Sequence, residues 1–192
     1  MLGKLPSSIG HALKNVRPGL ERLIYADAAL DAPEIIRVES VAFDDNEAIP
    51  PLFSADGEGE SPPLRWRGVP DGAAGIVLVV EDADSPTPAP FIHALAIKTP
   101  ASDDDLIPGA LTRKSAAATE GLLLGRNSLM QASWTPPDPP PGHGPHRYVF
   151  EIYAIDHIPE LNEPPGKKEI LKILRGHTLA KGCMIGIYER NA

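Results

Sequence analysis

The sequence predicts a mainly β domain, an antiparallel sandwich or barrel-like sheet, with short helices confined to its two ends. Three observations predict it. Apolar runs of strand length recur at 35–43, 76–81, 92–98, 147–155 and 183–189. Helical periodicity appears only near the termini, so no strand–helix–strand units are available to build a parallel sheet. The 22 prolines in 192 residues, about twice ordinary usage, cluster between the apolar runs at 50–51, 62–63, 86–90, 136–141 and 164–165 and read as loop punctuation.

Taken in order, residues 1–34 read as a helical extension that packs on its own domain or on a second copy, and 35–192 as the β domain. Ile9, Leu13, Val16, Leu20, Leu23 and Ile24 have helix-like spacing. Pro18 interrupts a single helix, so the spacing predicts two short ones, the second beginning near Pro18 in the favoured first-turn position. Ile35 to Phe43 reads as a strand, followed by a turn-rich stretch from Asp44 to Pro63. Ile76 to Glu81 is a continuous apolar run, the pattern of a strand buried on both faces. From Arg147 the sequence alternates, with Tyr148, Phe150, Ile152 and Ala154 on one face and Arg147, Val149, Glu151 and Tyr153 on the other. KKEILKILR, between Gly166 and Gly176, reads as one amphipathic helix with Gly176 as its stop.

The totals narrow the function. A formal net charge of −8 argues against nucleic acid or an anionic membrane surface as the main partner. No segment approaches eighteen consecutive apolar residues, so no membrane span is expected. The first 25 residues lack an uninterrupted apolar core and a small-residue cleavage site, and are expected not to be a secretory leader. The expectation is a cytoplasmic protein. One cysteine, Cys183, excludes an internal disulfide and a Cys-based zinc site; in its apolar run it reads as a buried, inert thiol.

Chemistry concentrates at strand ends beside stiff loops. Six prolines lie between Trp134 and His146, and with φ fixed at each of them the loop is rigid and poor in backbone donors. It delivers His146, Arg147 and Tyr148 to the start of a strand. Glu81-Asp82-Ala83-Asp84-Ser85-Pro86 closes the buried run, and His93 opens the next strand. Two carboxylates two residues apart can point the same way and fix histidine tautomers, while histidine and tyrosine donors suit a phosphate or carboxylate. Arg147 reads as a structural ion-pair partner. His143 and His146 form H-x-x-H, but Gly144 and Pro145 between them deny helical ligand spacing, so no metal is expected. No G-x-S-x-G, Walker loop or G-x-G-x-x-G is present, and no cofactor is expected.

The chain resembles the phosphatidylethanolamine-binding proteins, also called Raf-kinase-inhibitor-like proteins, in their bacterial branch. Four blocks carry the resemblance: Asp56-Gly57 through Ser61-Pro62-Pro63-Leu64-Arg65-Trp66; Glu81 to Pro86 through His93; Gly125-Arg126-Asn127-Ser128; and Pro139-Pro140-Pro141-Gly142 through His146-Arg147-Tyr148-Val149-Phe150. It implies an antiparallel β-sandwich with a small anion pocket at one end. Asp82, Asp84, Pro86 and His93 fall on the family's first signature, Pro139 and Pro140 on its rigid proline pair, and His146 and Tyr148 on the second. Ala83 stands where the family usually has proline, Ala94 where tryptophan is common, Trp134-Thr135 where tyrosine-glycine is usual, and Asp138 where the bacterial branch often has cysteine. The loss of the tryptophan is expected to widen the pocket, and Asp138 to add negative charge at its mouth.

The function expected on this basis is non-enzymatic binding of a phosphate- or carboxylate-bearing ligand, with no catalytic residue. Whole lipid is not expected, because a headgroup-sized pocket leaves acyl chains nowhere to go. The alternatives are a regulator of a kinase or protease that acts through the pocket rim, as the resemblance implies, and a hydrolase that uses the His/Asp group as acid–base catalyst. A homodimer is compatible with the extension.

Overall fold

A computed structural model describes residues 2–190. Its centre is a six-stranded sheet in the order β2-β9-β8-β4-β5-β7, formed by β2 (Glu47–Ala48), β4 (Gly75–Asp82), β5 (Phe91–Lys98), β7 (Leu122–Gly125), β8 (His146–Ile155) and β9 (Thr178–Tyr188). A second sheet has three strands in the order β1-β3-β6, from β1 (Arg37–Glu39), β3 (Leu64–Arg67) and β6 (Asp104–Leu106). Three α-helices accompany them: α1 (Ser7–Leu13), α2 (Arg113–Ala118) and α3 (Lys167–Leu174).

The large sheet is covered on both faces, which is why all eight residues of β4 are buried and its sequence does not alternate. Ile76, Leu78, Val80, Phe150 and Ile152 form one core with Val38, Leu64, Trp66 and Leu106 of the small sheet. Val77, Val79, Tyr153 and Ile155 point the other way and pack with Ile170, Ile173 and Leu174 of α3 and with Ile24 and Leu30. The apolar positions of α3 are three and four residues apart and bury one stripe against the sheet. Its start is fixed by the Glu169 carboxylate, which accepts from the Gly166 amide at 3.0 Å.

Several elements differ from the sequence reading. The strand expected over 35–43 is reduced to the three residues of β1. The strand expected from Cys183 begins five residues earlier, at Thr178. Gly182 lies inside it because a Cβ there would sit 1.8 Å from the Ile36 carbonyl oxygen, so the close approach of the chain leading into β1 demands glycine. Pairing is antiparallel throughout except that β2 runs parallel to β9. Helix α2 was not anticipated; its start is capped by Thr112, whose Oγ1 accepts from the Ser115 amide at 3.3 Å.

The second N-terminal helix is replaced by three 3-10 turns, Leu20–Arg22, Ile24–Ala26 and Ala28–Leu30. Gly19 has φ +90° and its amide donates to the Ala83 carbonyl at 2.9 Å, while the Ile24 amide donates to Glu81 Oε2 at 2.6 Å. Tertiary acceptors thus take the amides that a continuous helix would have used.

Candidate functional site

The site lies where β4, β5 and β8 meet the loops that follow or precede them. His146 opens β8 and Asp82 ends β4, paired so that Tyr148 stands opposite Asp82. Nδ1 of His146 is 2.8 Å from Asp82 Oδ2, and both residues are buried. Asp82 Oδ1 also accepts from the Asp84 amide at 2.8 Å, which closes the turn after the strand.

His93 reaches the same place through a β-bulge. Val80 pairs with Ala94 but Glu81 pairs with Ile92, so His93 is the extra residue on β5. The bulge puts His93 and Ala94 on the same side of the sheet, where strict alternation would have sent them to opposite faces. The His93 ring then sits 5.1 Å from the Tyr148 ring, edge-on, and 5.9 Å from that of Trp134. Its Nδ1 is 2.6 Å from the Thr135 carbonyl, while the Thr135 amide donates back to the His93 carbonyl at 2.9 Å. Burial lowers the proton affinity of His93, against the opposing pull of the Asp82 charge. Burial, reinforced by Asp82 and Asp138, likewise holds the Tyr148 hydroxyl in its protonated form.

Two donors here have no acceptor among the described residues: Tyr148 Oη and Trp134 Nε1, both buried. Native interiors seldom leave such groups unpaired. Ala94 contributes to the main core beside them, and the indole of Trp134, stacked 6.4 Å from Phe150, supplies an aromatic wall.

His143, set aside in the sequence reading because of its spacing to His146, belongs to the site. Gly142 and Gly144, at φ +77° and +93°, turn the loop tightly enough to bring the two rings together without a helix. His143 Nδ1 is 2.7 Å from His146 Nε2, and His143 Nε2 is 2.9 Å from the Leu13 carbonyl at the end of α1. The line Asp82–His146–His143–Leu13 therefore contains three contacts that each need a proton. Two neutral imidazoles supply two, and the third contact needs a further proton. Burial, followed by the neighbouring His146, lowers the proton affinity of His143. Direct His–His contact also leaves no room for a metal ion between these nitrogens.

The other expected residues take supporting places. Asp84 turns away from Asp82 to bind Arg147: its carboxylate accepts from the Arg147 amide at 3.0 Å and from Nε and Nη2 at 2.7 and 2.8 Å. It also meets Arg17 at 3.2 Å. The two carboxylates thus take different partners, Asp82 the His146 ring and Asp84 the two arginines. Pro139 and Pro140 are buried in the loop wall; the Pro139 carbonyl accepts from Arg190 at 3.0 Å and that of Pro140 from the His143 amide at 3.2 Å. Pro86 lies half-buried in the bend after Ser85. Asp138 adds no free charge at the mouth, because Arg190 Nη1 pairs with it at 2.5 Å while the same guanidinium grips Asp56. Cys183 is half-buried, and burial pushes its thiol up to about 11. A surface recess of about 430 Å³ lies elsewhere, beside Arg37, Ser40, Phe43 and Met184.

Residues 39–189 match the family model described as phosphatidylethanolamine-binding protein. The chain belongs to this family. A UPF0098 protein of Pyrococcus horikoshii is 33% identical over 156 residues, which cover 81% of this chain and 77% of that protein. One from Chlamydia trachomatis is 32% identical over 160 residues, 81% of this chain and all of the other. Among solved structures, a phosphatidylethanolamine-binding protein homologue from Chlamydia trachomatis superposes with TM-score 0.72 at 31% identity, covering 82% of this chain and 99% of its own. Escherichia coli YbcL gives TM-score 0.73 at 25% identity, covering 81% and 98%. The chain thus belongs to the bacterial YbhB/YbcL type of this family, with two sheets and three α-helices among the described residues. The family match begins at residue 39, so α1 and the three 3-10 turns after it stand outside it.

Asn127 is a further residue whose part the sequence reading did not assign. Its side-chain amide donates to the Ser133 carbonyl and Thr135 Oγ1, both at 2.8 Å, and its Oδ1 accepts from the Leu129 and Gln131 amides. Every hydrogen-bonding position of the side chain is used, and the loop that carries Trp134 and Thr135 is thereby fixed against His93. Its place in the Gly125-Arg126-Asn127-Ser128 block was the available signal. No described helix is long and apolar enough to cross a membrane.

Proposed function

We propose that this phosphatidylethanolamine-binding protein is a non-enzymatic binder of small phosphate- or carboxylate-bearing ligands, held by His146, His93, Tyr148 and Trp134 beside Asp82. The observation that carries the reading is the pair of buried donors, Tyr148 Oη and Trp134 Nε1, that flank His93 without an acceptor among the described residues. Buried donors favour an acceptor-only group such as a phosphate oxygen. Asp82 keeps a proton on His146 Nδ1 and leaves Nε2, when protonated, as a charged donor. Since burial disfavours a charge on His93, that ring meets the anion as a neutral donor.

Calorimetric titration of inorganic phosphate and phosphoethanolamine at pH 6 and pH 8 tests this. Affinity is expected to rise toward pH 6, near the ordinary histidine value. A charge-assisted hydrogen bond contributes about 1.5–3 kcal/mol, so His146→Ala is expected to weaken binding by roughly 10- to 100-fold. Equal affinity at both pH values, or binding indifferent to His146→Ala in a protein that retains its fold by circular dichroism, would remove the reading.

A further inference from the structure

We infer that residues 3–17 form a strap that closes this pocket, with His143 as its tethered internal occupant, and that an anion binds only as the strap lets go. The inference rests on the anion-pocket reading and adds the regulation of that same site.

The strap touches the proline loop along its length. The Gly3 amide donates to Asp138 at 3.1 Å. Gly10 of α1 is buried so closely on the loop that a Cβ would lie 2.0 Å from the Pro141 carbonyl oxygen and 2.9 Å from the His143 amide nitrogen. The Leu13 carbonyl caps the histidine line at His143 Nε2. Arg17 donates to the His143 and Pro145 carbonyls at 2.6 and 2.7 Å and reaches Asp84 at 3.2 Å. These contacts seal the site: Asp82, His93, His143, His146 and Tyr148 are all at most 4% exposed.

His146 Nε2 is the nitrogen that must donate to a bound anion, and in the closed protein His143 Nδ1 already holds it at 2.7 Å. The two occupants exclude each other. The charged and titratable groups that face His143 are Asp82 and His146 on the strand ends and Arg17 on the strap, so none of the covering contacts needs a second chain. The strap lies outside the family match, which starts at residue 39, and the two bacterial structures are spanned almost entirely by 81–82% of this chain.

A pocket that is open for only a fraction of the time binds with its affinity reduced by that fraction. Gly10→Ala raises the open fraction without altering a pocket side chain, because the added methyl meets only loop backbone, at Pro141 and His143, while alanine favours the helix. Two readouts are compared in the full-length protein: calorimetric binding of phosphate and phosphoethanolamine, and the rate of tryptic cleavage after exposed Lys14, which reports local opening. Gly10→Ala is expected to be cleaved faster and to bind at least tenfold tighter, and phosphoethanolamine is expected to accelerate cleavage of the unaltered protein. Faster cleavage with unchanged affinity overturns the strap and leaves the anion pocket standing. Faster cleavage with no binding to either protein overturns the pocket reading itself. Unchanged cleavage in both Gly10→Ala and Arg17→Ala means that these contacts do not hold the segment down, and overturns the strap.

Discussion

Asp84→Ala is expected to lower the unfolding free energy by about 3 kcal/mol, the lower end of the range for breaking a buried ion pair. The carboxylate is nearly inaccessible and holds three groups: the Arg147 amide, the Arg147 guanidinium in a two-pronged contact, and Arg17. Removing it strands a backbone donor at the second residue of β8 and frees two cations. Those side chains are 37% and 25% exposed and can recover water, which keeps the cost from the upper end. Asp84→Asn retains an acceptor for the amide and is expected to lose about half as much. Urea unfolding at pH 7 measures both. The pH dependence has a definite sign. Burial raises the proton affinity of Asp84, but the side-chain and backbone hydrogen bonds from Arg147 outweigh it and leave the group below the ordinary carboxylate value. A depressed folded-state value stabilises above the unfolded value, near 3.9, and the gain disappears as pH falls through the folded one. The gap between the native protein and Asp84→Ala should therefore be full at pH 7 and shrink below about pH 4. A gap that widens in acid would contradict this arrangement.

The sequence carried the layers of the fold better than its edges. The β4 run, the alternation in β8 and the stripe of α3 are each set by burial on a defined face, and period is what burial writes into sequence. The short strands β1, β2, β6 and β7 pair over only two to four residues, too few for a period to show. At the site, Asp82, His146 and Tyr148 were legible because strand ends and stiff loops place them. His93 faces its neighbours through a bulge whose existence depends on how β4 and β5 register, which no local pattern encodes. The contact between His143 and His146 was missed for a similar reason. The H-x-x-H argument considered a helix, whereas two glycines at positive φ close the same spacing by a turn. The long-range partners of Arg17 and Glu81 were equally invisible, since each contact joins residues more than fifty positions apart.

On the far side of the sheet, Glu151→Gln is expected to stabilise the protein at neutral pH. Glu151 is fully buried on β8; its Oε2 accepts from the Tyr153 hydroxyl at 2.7 Å and its Oε1 has no partner among the described residues. Glu81, also buried, is better provided, with Lys167 Nζ at 2.9 Å and the Ile24 amide at 2.6 Å. The charge of the pair therefore belongs on Glu81. Burial, and then repulsion from Glu81, pushes Glu151 well above the ordinary glutamate value. A carboxyl whose folded value is raised costs nothing below its unfolded value, near 4.3, and takes stability away as pH rises from there toward the folded one. Glutamine keeps an acceptor for Tyr153, adds a donor beside Glu81 and cannot ionise. The expected gain at pH 8 is on the scale of relieving one unsatisfied buried polar group, about 1–3 kcal/mol, with little difference at pH 4.5. Lysine at position 167 makes the assignment testable from the other side: Lys167→Met removes the cation that lets Glu81 hold the charge, so the same stability curve should fall more steeply with pH. Parallel curves for the native protein and Glu151→Gln from pH 4.5 to 8 would show that Glu151 ionises without penalty, and would overturn the assignment of the charge to Glu81.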